Sequence, residues 1–278
     1  MMMKKIRIDT KIKLNNGIEM PVFGLGTYQT RPGKETKDAV LYALEIGYRL
    51  IDTAAMYENE KEVGEAVRQS GIPREEIFVT TKLWNADHGY NRAVTAFEQS
   101  LRKLGLSYID LYLIHFPVEG LRNESWRALE TLLEGGKCRA IGVSNYMIWH
   151  LEELLKNSST IPAVNQVEFN PYLYLKDLQE FCNSHKIVLE SYSPLTKGYK
   201  LNDPKLAEIG SKYSKTPAQI LIRWALQKGV VVIPKSSRKE RIKENAAVFD
   251  FEITPEDMKL FDSFNQNLRT SWDPSTVP

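Results

Sequence analysis

Two hydrophobic patterns alternate along the chain. Short apolar runs rich in β-branched residues are each followed by a longer stretch with apolar residues at helical spacing. Strands that alternate with helices form parallel sheets, and eight such units follow one another without a break. We therefore expect an α/β fold of the (β/α)8, or TIM-barrel, type. The predicted strands are Val22–Tyr28, Tyr48–Thr53, Ile77–Leu83, Ile109–His115, Arg139–Ser144, Ala163–Phe169, Val188–Ser193 and Val230–Pro234. The predicted helices are Lys37–Ile46, Lys61–Ser70, Tyr90–Leu104, Glu124–Leu133, Ile148–Asn157, Lys176–His185, Pro217–Gln227 and Arg238–Ala247.

Three segments lie outside these eight repeats. Lys11–Leu14 and Ile18–Met20 flank an Asn-Gly pair, which favours a tight turn and predicts an N-terminal β-hairpin able to close the bottom of a barrel. Asn202–Lys215 predicts an extra helix, and the capping pattern at Thr254–Asp257 begins a last one. The barrel is thus expected to carry a hairpin and two extra helices.

Composition narrows the class of protein. The 278 residues suit one barrel, and no linker or change of composition divides them, so residues 1–278 are predicted to form a single domain. The net charge of +2 gives no reason to expect nucleic acid or a membrane as partner, and no apolar run reaches membrane-spanning length. The two cysteines, Cys138 and Cys182, suit buried thiols in a reducing compartment. We expect a cytoplasmic monomer.

Four polar side chains stand at or just beyond strand ends. Asp52 ends the second predicted strand, and Tyr57 follows five residues later. Lys82 lies at the end of the third strand, and His115 ends the fourth. Because barrel enzymes place their chemistry at the carboxyl ends of strands, these four are predicted to meet at one rim. Asp52 and Lys82 are expected at the same height on neighbouring strands. If only these two residues are considered, the simpler interpretation is a structural ion pair.

The other two residues favour proton transfer to an oxygen. A free tyrosine has a pKa of about 10, too high for an efficient donor near neutrality. The Lys82 ammonium is expected to lower the pKa of Tyr57, with Asp52 keeping the lysine charged. His115 could hydrogen-bond the substrate oxygen that receives the proton. No nucleophile is paired with a base and no metal-ligand spacing occurs, so a cofactor is expected to supply electrons.

The second half of the chain offers a place for that cofactor. Amide- and hydroxyl-bearing residues end the fifth and sixth strands, at Ser144, Asn145 and Gln166, and Tyr192 near the end of the seventh could stack on a planar ring. Ile233–Arg241 joins the eighth strand to a helix. There, helix N–H groups and cations suit a phosphate. The alternative for this basic run is a solvated helix face.

Taken in order, these stretches resemble the aldo-keto reductase family, and most of all its short-looped microbial members of the diketogluconate reductase and prostaglandin F synthase type. The resemblance runs from about Leu14 to Asn267. It is carried by Gly24–Thr27, Ile51–Ala54 with Tyr57, Thr81–Trp84, Asp110–His115, Gly142–Asn145, Asn165–Glu168, Tyr192–Leu195 and Ile233–Ser236.

The resemblance implies an enzyme that reduces aldehydes and ketones to alcohols with NADPH. It implies Tyr57 as general acid, Lys82 and Asp52 as the residues that tune it, and His115 as the residue that orients the carbonyl. The implied cofactor-binding residues are Gly26, Thr27, Tyr28, Asp52, Ser144, Asn145, Gln166, Tyr192, Ser193, Pro194, Leu195, Ile233, Pro234, Lys235, Ser236, Ser237, Arg241, Glu244 and Asn245. Among these, Lys235, Ser236 and Arg241 would hold the adenosine 2′-phosphate.

Departures from the family pattern concern the substrate pocket. Leu50 stands where many members have histidine, and we expect a change of packing only. Phe116 follows His115 where related enzymes often carry tryptophan, and the loop after it is short. An open, shallow pocket for a small carbonyl compound is therefore expected, bordered by Tyr28, Trp84, His115, Phe116 and Trp272.

Two other functions stay open at this point. A barrel that senses NADPH and docks on a partner could retain the same four polar residues, and it would bind cofactor without turnover. A lyase or isomerase could instead use Lys82 for a Schiff base. That chemistry needs a neutral lysine, which Asp52 opposes.

Overall fold

The computed structural model describes residues 5–278, and its main feature is a closed parallel sheet. Eight strands form this sheet, and each is parallel to its neighbours. Two further strands form a separate antiparallel hairpin. The sheet closes because Gly24 N donates to Val232 O at 2.9 Å and Val232 N donates to Val22 O at 3.0 Å. The strands are β1 Lys11–Lys13, β2 Glu19–Pro21, β3 Leu25–Gly26, β4 Leu50–Asp52, β5 Phe78–Leu83, β6 Ile109–Ile114, β7 Cys138–Ser144, β8 Val164–Glu168, β9 Val188–Tyr192 and β10 Val231–Val232. The hairpin consists of β1 and β2, and the barrel strands pair in the order β10-β9-β8-β7-β6-β5-β4-β3. The predicted (β/α)8 barrel with its N-terminal hairpin is confirmed.

Helices follow the barrel strands along the chain. They are α1 Lys34–Glu45, α2 Glu60–Gln69, α3 Tyr90–Leu104, α4 Arg122–Glu134, α5 Ile148–Asn157, α6 Lys176–Ser184, α7 Pro204–Tyr213, α8 Pro217–Gln227, α9 Lys239–Ala246 and α10 Pro255–Asp262. The two extra helices are α7 and α10, as predicted. In the described part of the chain, no helix combines the length and apolar character needed to cross a membrane.

The seam of the barrel differs from the prediction. The first and last barrel strands, β3 and β10, are only two residues long. Around them the pairing continues as isolated bridges, Phe23 with Val232 and Gly26 with Lys235. Beyond β10, Pro234 has no N–H to donate, but its carbonyl oxygen accepts from Gly26 N at 3.2 Å.

The barrel separates two hydrophobic layers. Alternate residues of the strands point inward and pack with the hairpin, so that Leu14 and Met20 are buried against Leu50 and Phe78. The larger layer lies between the outer faces of the strands and the helices. The hairpin therefore closes the lower end of the barrel, and the opposite end remains for a site.

Two glycines before and within β3 allow close approach. A Cβ on Gly24 would lie 2.4 Å from Leu50 Cγ, and one on Gly26 would lie 2.8 Å from Ile233 O. Leu50 thus packs into the space that Gly24 leaves open, in agreement with the expected packing role. At Gly26, the absence of a side chain lets β3 meet the chain that follows β10.

Candidate active site

A groove with a cavity volume of about 540 Å³ opens where the barrel strands end. That volume is in the range of sites for small molecules and cofactors. Most of the predicted site residues form its wall, namely Gly26, Tyr28, Asp52, Tyr57, His115, Ser144, Asn145, Gln166, Tyr192, Ser193, Pro194, Leu195, Ile233, Lys235, Ser236, Ser237, Arg241, Glu244, Asn245 and Trp272. The other predicted residues, which do not line it, are Thr27, Lys82, Trp84, Phe116 and Pro234.

Lys82 connects Asp52 to Tyr57. Its fully buried Nζ donates to Asp52 Oδ1 at 2.7 Å, to Thr53 O at 2.9 Å and to Tyr57 Oη at 3.3 Å. Three acceptors match the three N–H bonds of an ammonium group. The expectation of equal height was wrong, because Asp52 pairs with Thr80 in the sheet register and Lys82 lies two residues further on. The long lysine side chain spans that offset.

The pKa of Tyr57 is raised well above its usual value of 10, chiefly because its hydroxyl is removed from water and secondly because Asp52 is close. The prediction that Lys82 lowers this pKa was therefore wrong in its net direction. Burial also raises the pKa of Asp52, and the ammonium of Lys82 opposes that rise. A phenol in these surroundings keeps its proton throughout the neutral range.

His115 faces the same space as a neutral ring. Its centroid lies 5.6 Å from that of Tyr57, and burial together with the charge of Lys82 holds its pKa well below 6.5. Nδ1 is buried and has no hydrogen-bond partner in the part of the chain that the structure describes. An unpartnered lone pair costs less than an unpartnered N–H group, so the proton belongs on Nε2. That nitrogen is left to donate to an oxygen in the groove.

Asn59 fixes the loops that carry Tyr28 and Tyr57, and sequence reasoning missed it. Its Nδ2 donates to Thr27 O at 3.0 Å, and its Oδ1 accepts from Thr53 Oγ1 at 2.7 Å. The side chain is fully buried. In the sequence, Asn59 is visible only as an ordinary helix-capping residue before α2.

The predicted amide cluster is brought together on the far wall of the groove. Ser144 Oγ and Asn145 N both donate to Gln166 O at 2.8 Å. Tyr192 Oη donates to Asn145 Oδ1 at 2.7 Å, and Asn145 Nδ2 donates to His115 O at 3.0 Å. The cluster is thus hydrogen-bonded to the chain that carries His115, so the two halves of the site form one connected unit.

A second buried carboxyl, Glu190, lies behind this cluster. Gln166 Nε2 donates to both Asp52 Oδ2 and Glu190 Oε2, each at 2.8 Å. Burial raises the pKa of Glu190 to about 8, with a further upward contribution from Asp52. Sequence reasoning missed this residue, although its place between Val188 and Tyr192 on the inward face of β9 was a signal.

Replacing Glu190 by glutamine is expected to stabilise the fold increasingly with pH. The folded state holds the proton of Glu190 up to about pH 8, whereas an unfolded chain releases it near 4.5. Wild-type stability therefore falls as pH rises through that window, and the variant, which has no such proton to release, should be more stable than the wild type by a few kcal/mol at pH 8.5. Urea unfolding of both proteins at pH 5 and pH 8.5 measures the difference in their free energies of unfolding. Asp110→Asn is a contrasting control, because Arg74 and Arg139 pair with that buried carboxylate, and it should destabilise.

The other end of the groove is cationic. Lys235 follows β10, and Arg241 lies in the first turn of α9, whose N-terminus has no side-chain cap. Burial lowers the pKa of Lys235. Within residues 5–278, no carboxylate oxygen lies within 4.0 Å of either cationic group, whereas neighbouring Arg238 pairs with Glu240. Unpaired cations beside free helix N–H groups can hold a phosphate.

Aromatic rings enclose the space above Tyr57 and His115. Ring centroids are 5.0 Å apart for Tyr28 and Tyr57, 5.4 Å for Trp84 and His115, and 5.6 Å for Trp84 and Trp272. Phe116 lies 6.2 Å from Trp272. The predicted pocket residues therefore do meet. Groove residues that the prediction missed include Gln29, Met56, Lys197 and Ser271.

The C-terminal segment reaches this pocket because Glu168 holds it. The buried carboxylate accepts hydrogen bonds from Thr270 N at 2.9 Å and from Ser271 N at 3.0 Å, directly before Trp272. Irregular segments such as this one carry no periodic pattern, so only the tryptophan itself marked it in the sequence.

Comparisons with known proteins agree with this architecture. Residues 22–266 match the model of the aldo/keto reductase family. A glyoxal reductase of Bacillus subtilis (strain 168) is 50% identical over 266 residues, which cover 96% of this chain and 96% of the relative. The crystal structure of an aldo-keto reductase from a Medee basin deep-sea metagenome library has a TM-score of 0.93 and 47% identity, covering 96% of this chain and 99% of that one.

A further solved structure contains a nucleotide. The aldo-keto reductase of Bombyx mori in complex with NADP has a TM-score of 0.89 and 38% identity, covering 96% of this chain and 95% of that one. The family model spans most of the barrel, and the relatives align over nearly their full lengths. The chain therefore belongs to the aldo/keto reductase family and is an oxidoreductase of that family.

Proposed function

We propose that the protein reduces aldehydes and ketones to alcohols with NADPH, and that Tyr57 is the general acid. The observation that carries this proposal is the contact of Tyr57 Oη with Lys82 Nζ at 3.3 Å, while Lys82 is itself paired with Asp52 at 2.7 Å. The resulting group is a protonated phenol beside a fixed ammonium at the wall of a groove. Such a group gives a proton to an oxygen that gains negative charge.

Each of the four residues is assigned a role that its surroundings support. Bound NADPH would supply the hydride that reaches the carbonyl carbon. Tyr57 gives its proton to the carbonyl oxygen, and Lys82 stabilises the phenolate that remains. His115 donates from Nε2 to the same oxygen and orients the substrate. Asp52 keeps Lys82 charged and aimed.

The groove fits such a cofactor in two ways. Amide and hydroxyl groups of Ser144, Asn145 and Gln166 stand near the proton donor, where a carboxamide would be recognised, and the ring of Tyr192 lies beside them. At the other end, Lys235 and Arg241 have no carboxylate partner among residues 5–278. The NADP complex of the Bombyx mori relative supports this choice of nucleotide. Other residues proposed to contact it are Gly26, Thr27, Tyr28, Asp52, Ser193, Pro194, Leu195, Ile233, Pro234, Ser236, Ser237, Glu244 and Asn245.

A turnover assay tests the proposal directly. Purified protein with NADPH and a panel of aldehydes and ketones should consume NADPH, which absorbance follows, and the same panel with NADH should be slower. Glyoxal belongs in the panel because a relative is a glyoxal reductase. Binding of NADPH without turnover of any panel member would contradict the proposal and favour a cofactor sensor.

Arg241→Ala is expected to raise the KM for NADPH about tenfold to a hundredfold and to leave the KM for NADH nearly unchanged. The reason is that a guanidinium binds a phosphate dianion strongly but gains little from a ribose hydroxyl. Steady-state kinetics with each nucleotide measure the difference. Lys243→Ala is the matched control, because it removes an exposed cation of the same helix that does not line the groove. An equal change for both nucleotides would contradict 2′-phosphate binding.

A Schiff base on Lys82 has less support. Its ammonium already has three acceptors, two of them Asp52 and a backbone carbonyl, and a neutral amine would lose that ion pair. Covalent trapping of a carbonyl substrate on Lys82 by borohydride would overturn this assignment.

We also propose a cytoplasmic monomer. Cys138 and Cys182 are free and buried, as is usual for thiols in a reducing compartment. Light scattering coupled to gel filtration should give the mass of one chain, and twice that mass would contradict the monomer.

A further inference from the structure

Glu190 is a buried carboxyl for which the proposed chemistry has no use. It lies in β9 with no exposed surface, opposite Gln166 of β8 and Val231 of β10 in the sheet register. Its inward neighbours along β9 are the apolar Val188 and the groove residue Tyr192. A carboxyl group removed from water at this depth is costly unless a specific contact compensates for it. Its hydrogen bond to Gln166 is that contact.

The two carboxyl groups fix which way the Gln166 amide points. Nε2 lies 2.8 Å from Asp52 Oδ2 and 2.8 Å from Glu190 Oε2, so both of its N–H bonds are used. In the reverse orientation, the amide oxygen would face the acceptor-only carboxylate of Asp52 and lose that hydrogen bond, and it would keep the contact with Glu190 only if that carboxyl turned its proton toward it. With Nε2 held in the interior, Oε1 has no donor within the described residues, and Gln166 lines the groove.

We propose that Glu190 is a positioning residue, which clamps Gln166 so that its amide oxygen faces the groove and accepts a hydrogen bond from the carboxamide of the cofactor. This inference rests on the proposed NADPH site and assigns one further residue to it. Asp52 alone would hold one N–H bond of Gln166. Glu190 holds the other, and with both N–H bonds in use a rotated amide is disfavoured.

The charge of the interior agrees with this role. Lys82 carries one positive charge and Asp52 one negative charge, so a second carboxylate would be unbalanced. The pKa of Glu190, raised to about 8 by burial and by Asp52, keeps this carboxyl protonated near neutrality. Within the described residues Glu190 Oε1 has no partner, and Oε2 accepts the hydrogen bond from Gln166 Nε2. The clamp thus adds no net charge beside Tyr57.

The test compares NADPH dissociation constants, measured by quenching of tryptophan fluorescence, across a cycle of variants. Glu190→Met keeps the length of the side chain and removes the acceptor, and it should raise the dissociation constant about tenfold. Glu190→Gln keeps an acceptor oxygen and should recover most of the lost affinity. In Gln166→Leu the clamp has nothing to hold, so adding Glu190→Met to it should cause no further loss.

Stability measurements separate positioning from a structural role. Glu190→Met removes a costly buried carboxyl but leaves one N–H of Gln166 unpaired, so its melting temperature should change little. Leu129→Ala, a core change in α4 remote from the groove, should lower the melting temperature without changing NADPH affinity. If Glu190→Met does not fold, Glu190→Ala removes the same oxygens and is judged by the same criteria.

The outcomes distinguish this inference from the function on which it rests. If Gln166→Leu weakens NADPH binding and Glu190→Met does not, the clamp is overturned while the cofactor site stands. Additive losses in the double variant would likewise overturn action through Gln166. If the wild-type protein does not bind NADPH, the proposed function fails and this inference fails with it.

Discussion

Tyr57→Phe is expected to lower kcat for NADPH-dependent aldehyde reduction by about 10²- to 10⁴-fold, the usual contribution of a positioned general acid. The substitution removes one oxygen and keeps the ring. That oxygen is the atom that contacts Lys82 Nζ, so the variant loses both the proton and the phenolate that the ammonium would stabilise. Stopped-flow or steady-state measurement of NADPH oxidation gives the effect.

Cofactor binding should be nearly unaffected in the same variant, because the amide cluster and the cationic end of the groove are unchanged. Tyr28→Phe is the matched control. Its ring lies 5.0 Å from that of Tyr57, but its side chain has no contact with the ammonium, so a loss of only a few-fold is expected. Turnover of Tyr57→Phe at the wild-type rate would remove Tyr57 from the role of acid. The proton would then have to come from elsewhere, with His115 as the nearest candidate.

The fold and the four rim residues were predictable from local features of the sequence. Strand ends are visible as the points where apolar runs stop, and Asp52, Lys82 and His115 stand at such points. Parallel strands in a barrel bring their carboxyl ends to one rim, so the meeting of these residues follows from topology alone. Tyr57 follows Asp52 closely enough to share its surroundings.

Features that depend on three-dimensional surroundings were not predictable in the same way. The net direction of the Tyr57 pKa depends on how deeply its hydroxyl is removed from water, and no sequence pattern reports that depth. The two-residue offset between Asp52 and Lys82 depends on sheet register, which the apolar pattern does not fix to the residue. Glu190 was missed because its partner Gln166 lies on another strand, and Asn59 was missed because it joins Thr27 to Thr53 across two separate loops.

Lys82→Met is expected to destabilise the fold by about 3–5 kcal/mol, because it leaves Asp52 as a buried charge without its counter-ion. The two groups are 0% and 3% exposed and 2.7 Å apart, so solvent cannot replace the lost partner. Gln166 Nε2 still donates to Asp52 Oδ2, which keeps one of its hydrogen bonds and limits the loss. Urea unfolding at neutral pH measures the change. Lys212→Met is the surface control. Lys212 Nζ lies 2.8 Å from Asp257 Oδ1, but the lysine is half-exposed, so the stability of this variant should differ little from that of the wild type.

The double variant Lys82→Met with Asp52→Asn distinguishes charge from packing. Neutralising Asp52 removes the unpaired charge, so the double variant should be more stable than Lys82→Met alone, whereas activity should remain lost in both. That combination would assign the lysine two separable effects: compensating Asp52 in the folded state, and stabilising the Tyr57 phenolate during turnover. A double variant no more stable than Lys82→Met would mean that the loss comes from the missing side-chain volume. Recovery of turnover in the double variant would mean that the ammonium is dispensable for proton transfer, and Tyr57 would then act without the neighbour proposed here to support it.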